Sequence, residues 1–264
     1  MRFGLLEGFF NRTSSNETTP VIDATSKHVA KLHLAGVTIV HINETIYDAN
    51  KIIAALDIQR YEYRELLTEY LQRSTLSGKL PNSTNELYAS DNFLVLPSGY
   101  EYVTTSLVSS TSNATYATSQ VEIQNLSLAL EKTFAANNLD AIIYPEQKNL
   151  VIQIGSPSQS CRNGILAALT GAPVVAVPVG FSPATGTVPD GVPTDMKISG
   201  RQWTEEKLLQ IAWQIQQLGR VRKTTSWAKQ RVGVRAYDSV PSVAPNVGSI
   251  PDEYPVGGLW ARRV

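Results

Sequence analysis

The first forty residues alternate between strand and helix patterns. A dense apolar run over 2–10 predicts a short buried strand. Thr19 then suits the N-cap of a helix, with Pro20 at the first helical position, where a missing N–H does no harm. Gly36 stands where helices often end in the left-handed conformation, and the β-branched run over 37–42 predicts a second strand. This order indicates a parallel pair of strands joined by a helix.

The middle of the chain is mostly helical in pattern. Apolar residues recur at helical spacing over 49–72 and over 121–136. Between these segments, 74–96 is punctuated by glycine and proline and predicts a connecting excursion. The stretch 106–119 is rich in Ser, Thr and Ala, and its pattern fits either a loop or the start of a helix.

The last third returns to strands. Residues 141–144 predict a strand that ends at Pro145, and further strands are predicted at 173–179 and 192–199. Thr204 is placed as the N-cap of a final helix that ends at Gly219. The predicted fold class is α/β, with a mixed, largely parallel sheet flanked by helices. We expect this domain to occupy 1–220 and an extended, proline-containing tail to occupy 221–264.

Composition excludes several classes of protein. The hydrophobic fraction is 42%, which argues against intrinsic disorder. Lys plus Arg and Asp plus Glu are each 23, so no net positive charge attracts nucleic acid. No apolar run is long enough for a transmembrane helix. The single cysteine, Cys161, excludes an intrachain disulfide, and neither a phosphate-binding loop nor a histidine pair at helical spacing is present, so we predict no metal and no cofactor.

Six Asn-x-Ser/Thr sequences precede residue 130, where composition predicts roughly two by chance. This excess favours a glycoprotein of the secretory pathway, and the alternative is a cytoplasmic chain that is simply rich in Ser and Thr. Residues 1–8 do not read as a signal peptide, so either the chain is not secreted or its true N-terminus lies upstream. The candidate acceptors are Asn11, Asn16, Asn43, Asn82, Asn113 and Asn125.

A series of short motifs occupies 138–219 in a characteristic order. It comprises Asp-Ala-Ile-Ile-Tyr-Pro at 140–145, Gly-Ala-Pro-Val-Val-Ala-Val-Pro-Val-Gly at 171–180, Gly-Val-Pro at 191–193, Gly-Arg at 200–201 and Glu-x-x-Leu-Leu at 205–209. Each motif is weak alone, but their order and spacing resemble the C-terminal half of the amidase signature family. The candidate glycosylation sites suggest a fungal, secreted type within that family.

The resemblance implies a hydrolase that cleaves a carboxamide C–N bond of a small amide. Such enzymes use a Lys and two Ser residues, with a Gly/Ser-rich loop whose backbone N–H groups stabilise the oxyanion. This chain contains no such loop, so no catalytic residue can be assigned and we expect the chain alone to be inactive. We therefore predict a domain that is incomplete on its N-terminal side, and the alternative is a non-catalytic, glycosylated remnant or interaction protein.

The residues that follow the strand at 141–144 are the candidates for a substrate-pocket rim. Ligands of open α/β sheets bind beyond the carboxyl ends of the strands. This rule selects Tyr144, Glu146 and Gln147, although these residues could also do no more than shape the turn around Pro145. Asn163 is expected to fix a neighbouring loop by side-chain hydrogen bonds rather than to bind substrate.

Overall fold

The computed structural model describes most of the chain before the tail. The described ranges are 1–73, 75–76, 78–89, 99–152 and 163–224. The chain divides into two units, Met1–Arg222 and Lys223–Val264. Cys161 and nearly all of the predicted tail over 221–264 lie outside the described residues, so the expectation for the tail stays a prediction.

Five strands form one mixed sheet in the order β2-β1-β3-β5-β4. Strand β1 pairs in parallel with both β2 and β3, whereas β5 pairs antiparallel with both β3 and β4. Four strands therefore run in one direction and β5 runs against them, which confirms the predicted mixed, largely parallel sheet. The strands are β1 Arg2–Leu6, β2 Thr38–Ile42, β3 Ala141–Pro145, β4 Val174–Phe181 and β5 Pro193–Ser199.

Helices cover both faces of this sheet. They are α1 Thr19–Leu34, α2 Ala49–Leu56, α3 Gln59–Leu71, α4 Thr84–Ala89, α5 Tyr100–Val108, α6 Ala114–Asn137, α7 Ile165–Thr170 and α8 Glu205–Leu218. A short 3-10 turn, Glu7–Phe9, follows β1. The described helices include none that is long and apolar enough to cross a bilayer.

Two helical segments differ from the sequence prediction, and a third matches it in its boundaries. The helix expected over 49–72 is two helices, because Asp57 has ψ 89° and leaves the helical conformation. The ambiguous stretch 106–119 holds the end of α5 and the start of α6, where the Asn113 side chain accepts a hydrogen bond from Thr115 N at 2.9 Å. Thr204 is the N-cap residue of α8, as predicted, but its side chain makes no capping hydrogen bond, and its hydroxyl instead donates to Arg201 O at 2.6 Å.

The boundaries of α1 follow the pattern more closely. This helix begins at Thr19, one residue before the predicted start, so Thr18 is its N-cap and its side chain makes no capping hydrogen bond. Gly36 has φ +86°, the left-handed conformation that a non-glycine residue adopts only with strain. The glycine therefore ends the helix and turns the chain into β2.

Alternate side chains of β3 enter two separate apolar cores. Ala141 and Ile143 pack into a core on the α1 and α8 side, whereas Ile142 and Tyr144 pack into a core on the α2, α6 and α7 side. All four side chains are fully buried. Burial of a large apolar side chain contributes roughly 1.5–3 kcal/mol, so β3 anchors the sheet from both faces.

Candidate functional site

Buried polar groups collect where β1 and β3 end. Asn163 is fully buried, and its Nδ2 donates to Phe9 O and to Pro145 O, both at 2.8 Å. These two hydrogen bonds join the 3-10 turn after β1 to the end of β3. The structural role expected for Asn163 is therefore present, and the residue holds the carboxyl ends of two neighbouring strands together.

A charged pair lies beside this junction. Lys197 on β5 stands opposite Tyr144 of β3 and places its Nζ 3.2 Å from Glu146 Oε1. The Lys197 side chain is 11% exposed and the Glu146 side chain is 35% exposed. The backbone N of Glu146 also donates to Asp195 O at 2.9 Å, which extends the β3–β5 pairing by one bond. Pairing satisfies the lysine charge, whose burial alone would be strongly unfavourable.

Sequence reasoning missed Lys197, although a signal was available. The residue interrupts the predicted strand over 192–199 with a charge at a position between two apolar residues, Met196 and Ile198. A lysine inside a buried strand needs a partner, and the carboxylate nearest to the end of the paired strand is that of Glu146. The pairing of β3 with β5 was needed to connect the two residues.

The three predicted rim residues occupy two different environments. Glu146 and Gln147 line a hollow of about 200 Å³, together with residues of the segment that follows and of the start of β5. Tyr144 is fully buried in the core on the α2, α6 and α7 side, with its ring 4.8 Å from the ring of Phe9. Burial raises the pKa of Tyr144, with the nearby Glu146 carboxylate as the second cause. Tyr144 therefore belongs to the apolar core and does not line the hollow, whereas Glu146 and Gln147 form part of its wall.

The hollow is rich in oxygen atoms. Glu146 Oε2, Asn149 Oδ1 and Thr194 Oγ1 are buried and have no hydrogen-bond partner among the described residues. Asp195 also lines the hollow, and burial raises the pKa of its carboxyl. Buried oxygen atoms of this kind are nearly always bonded in proteins. Within the described ranges, the three oxygens are therefore candidate acceptors for a small molecule.

A larger cavity of about 1180 Å³ runs between α1 and β4. His28 lies in its wall and is 1% exposed, with both ring nitrogens buried and unpartnered among the described residues. Burial, and secondarily the Lys31 charge, lower the pKa of His28. Its burial in the wall of this cavity therefore favours the neutral imidazole.

The remaining histidines do not come together with His28. His41 on β2 contacts Glu7, with 2.6 Å between Nδ1 and Oε1, and this carboxylate also pairs with Arg12. His33 lies in the last turn of α1. Within the ranges that the structure describes, no cluster of three or more His, Cys, Asp or Glu side chains could hold a metal ion.

The candidate glycosylation sites lie on the surface, and the proposed modification itself stays a prediction. Two of them belong to the same helix, since Asn113 is the N-cap of α6 and Asn125 lies in the middle of this helix. Asn11 is half-buried, and its Oδ1 accepts from Thr13 N at 3.1 Å. The exposed members of the set are Asn16, Asn43, Asn82, Asn113 and Asn125.

Comparison with known proteins finds similarity to solved structures only. No protein-family model and no curated protein matches the chain. Among solved structures, a peptide amidase from Stenotrophomonas maltophilia superimposes with a TM-score of 0.59 at 20% identity, covering 84% of this chain and 43% of the enzyme. A bacterial aryl acylamidase of the amidase signature family gives 0.60 at 12% identity, covering 83% and 43%.

A third match, a fatty acid amide hydrolase, has a TM-score of 0.56 at 15% identity and covers 83% of this chain and 39% of that enzyme. The chain thus has the fold of one part of these amidases and spans less than half of their length. At these identities the similarity shows the fold, and it confirms the amidase-like scaffold that the motif order predicts.

Proposed function

We propose that the chain is the C-terminal portion of an amidase signature hydrolase that cleaves carboxamide C–N bonds of small amides. The observation that carries this proposal is the placement of the ordered motifs in a fold shared with solved amidases. The Asp-x-x-x-x-Pro motif at 140–145 contains β3, the long apolar motif at 171–180 contains most of β4, and the motif at 205–209 begins α8. Each of these three motifs therefore coincides with a strand or helix of this chain.

The first of these motifs performs a structural task. The Asp140 carboxylate accepts from Arg2 N at 2.8 Å and from Lys207 Nζ at 2.7 Å. One side chain thereby joins the start of β1, the start of β3 and the first turns of α8. Hydrogen bonds, first that of Lys207, lower the pKa of Asp140. The motif residues are thus scaffold, and the proposal assigns the bond-breaking chemistry to residues that this chain does not supply.

Within this proposal, Glu146 and Gln147 belong to the rim of the substrate pocket. Both lie beyond the carboxyl end of β3, where ligands of α/β sheets bind. A Ser nucleophile, a bridging Ser and a buried Lys base would have to reach the same end of the sheet. The alternative, a non-catalytic remnant that keeps the scaffold, requires no such residues.

The decisive experiment compares two proteins. The first is the 264-residue chain, and the second is the longest product encoded by the transcript that contains it. Both would be incubated with a fluorophosphonate probe and with a panel of primary amides and anilides. We expect labelling and hydrolysis only from a longer product that carries Lys and a Gly/Ser-rich loop, with both lost when the labelled Ser is replaced by Ala. Turnover by the pure 264-residue chain would contradict the proposal, and a transcript that encodes no such elements would favour the remnant.

We further propose that the protein enters the secretory pathway, as a fungal secreted-type amidase would. The support is the excess of candidate acceptors and the exposure of five of the six. Expression through a eukaryotic secretory route should give a product whose gel mobility increases after treatment with an N-glycosidase. An unchanged mobility would contradict this assignment of compartment.

A further inference from the structure

The hollow beside Glu146 has a local excess of negative charge. Glu146 and Asp195 bring two carboxylates to its wall, and Lys197 is the cation that contacts one of them. Lys197 Nζ engages Glu146 Oε1, while Glu146 Oε2 is left without a partner in the described part of the chain. The hollow thus brings together two carboxylates and one ammonium group, so one additional cationic group would balance the charge.

The other free polar atoms of the hollow are also oxygens. Asn149 is 6% exposed and Thr194 is 5% exposed, and both line the hollow with a buried oxygen that has no partner in the ranges described. A carboxylate oxygen and an amide oxygen accept hydrogen bonds, and a hydroxyl can accept as well. The complementary group is therefore one that carries several donors, and an ammonium has three and no acceptor.

Apart from Gln147, the rest of the lining is apolar. Val21 of α1, Leu150, Val151 and Pro193 form the remaining wall. A calcium ion takes six to eight oxygen ligands. Besides the neutral oxygens of Asn149, Thr194 and Gln147, the hollow offers two carboxylates, and that of Glu146 already pairs with Lys197. A volume of about 200 Å³ is also larger than one ion needs. Oxygen acceptors on one side and aliphatic side chains on the other fit an alkylamine better than a metal.

We propose that this hollow is a binding site for a primary ammonium group on a short alkyl chain, with the ammonium donating to Glu146, Asn149 and Asp195 and the alkyl chain lying against Val21 and Leu150. The inference does not depend on the proposed amidase function, because binding is a property of this chain and is measured on it. Amide cleavage would release an amine, so the site would suit a product or an amine-bearing substrate if both proposals hold.

The test uses n-butylammonium as the probe and the 264-residue chain as the receptor. Saturation-transfer NMR reports on the bound ligand whether the protein is monomeric or associated. A five-heavy-atom ligand that fits well should bind with a dissociation constant on the order of 1 mM. Glu146→Gln and Asp195→Asn should each weaken binding about tenfold, because each removes a charged acceptor whose hydrogen bond contributes about 1.4 kcal/mol or more. Asn149→Asp should tighten binding.

Two matched controls distinguish binding at this site from nonspecific electrostatic or apolar binding. Glu205→Gln removes an exposed carboxylate at the start of α8 and should leave the affinity unchanged. 1-Butanol, which has the same alkyl chain and no charge, should not compete. The proposal is overturned if 1-butanol binds as well as n-butylammonium, if Ca²⁺ displaces the amine and binds more tightly, or if no saturation transfer occurs. It is also overturned if Glu146→Gln and Asp195→Asn, each retaining the wild-type circular dichroism spectrum, bind unchanged.

Discussion

The sheet and the excursion that carries α3, α4 and α5 are stabilised by different interactions. Around the sheet, apolar side chains from α1, α6 and α8 fill two cores whose members are nearly all less than a tenth exposed. In the excursion, α3 buries only Tyr61, and two of its apolar residues, Leu66 and Tyr70, are 57% and 47% exposed. The two regions lie in the same compact unit of the chain.

Polar side chains replace apolar burial in the excursion. Glu65 accepts from Ser110 Oγ at 2.7 Å and from Thr111 Oγ1 at 2.6 Å, and Thr84 Oγ1 donates to Arg64 O at 2.8 Å. A typical hydrogen bond contributes a net 0.5–1.5 kcal/mol, which is less than a buried apolar side chain. A region held by such bonds opens locally before the sheet unfolds.

The largest expected effect is the loss of a core aromatic. Phe134 on α6 is 1% exposed and packs in the core on the α2, α6 and α7 side. Phe134→Ala should lower the free energy of unfolding by about 3–5 kcal/mol, measured by urea denaturation. Leu66→Ala on α3 is the matched control and should change it by no more than about 0.5 kcal/mol. Comparable losses from both variants would show that the excursion is packed as tightly as the sheet.

The next effect tests the polar network of the excursion. Glu65→Ala removes the carboxylate that accepts from Ser110 and Thr111 and should destabilise the excursion by about 1.5 kcal/mol, the low end for hydrogen bonds to a charged group, because water can replace it at this partly exposed site. Hydrogen exchange should increase in α3 and at the α5–α6 junction, while amides of β1 and β3 keep their protection. Equal acceleration in β3 would instead mean that excursion and sheet unfold as one unit.

Glu65 also gives the excursion a pH dependence. Hydrogen bonds from Thr111 and then Ser110 lower the pKa of Glu65. The carboxylate therefore contributes stability at pH values above its unfolded pKa, and this contribution is lost as the pH falls through the lower, folded pKa. Glu65→Gln should reduce the acid sensitivity of hydrogen exchange in α3.

A second pH-dependent effect comes from His28 on α1, which packs against the sheet. Its cause is burial, whereas the cause at Glu65 is hydrogen bonding. Burial first, and Lys31 second, lower the pKa of His28, so the unfolded state binds a proton more readily than the folded one. The contribution of neutral His28 to the free energy of unfolding is fully present above the unfolded pKa of about 6.5. It declines as the pH falls below that value, by at most about 1.4 kcal/mol per pH unit, until the folded pKa is reached. His28→Leu should flatten the dependence of the melting temperature on pH in this window; an unchanged slope would remove His28 as its source.

The smallest effect concerns the cap of α6. Asn113 Oδ1 accepts from Thr115 N, so Asn113→Ala should cost about 1 kcal/mol. Asn113→Asp keeps an acceptor for the cap but removes the glycosylation signal, and Thr115→Ala also removes the signal while the backbone donor stays. Thermal melting of protein made without glycans should therefore separate Asn113→Ala from the other two variants. If all three melt alike, the cap contributes nothing measurable.

Local patterns predicted most of the sheet because its strands are short, dense and apolar. The segments at 37–42, 141–144, 173–179 and 192–199 each coincide closely with a strand of the structure. The strand predicted over 2–10 is shorter, because β1 ends at Leu6 and the 3-10 turn Glu7–Phe9 follows it. The break between α2 and α3 was missed, since an apolar spacing can continue across a residue that leaves the helical conformation, as Asp57 does. Within the excursion, α3 was predicted as part of one longer helix, whereas α4 falls in the predicted connection over 74–96 and the end of α5 falls in the ambiguous stretch over 106–119. These two helices were missed because the groups that stabilise the region are polar and distant in sequence.

What the sequence determined by itself is the set of strands and helices, and the order of motifs that predicts an amidase-like scaffold. Those features depend on side-chain periodicity and on residues close together along the chain. Only the tertiary structure decided that β5 lies between β3 and β4, because strand order depends on which apolar faces pack together across the molecule. That order brings Lys197 to Glu146 and Asp195 to the wall of the hollow, and no pattern along the chain links residues about 50 positions apart.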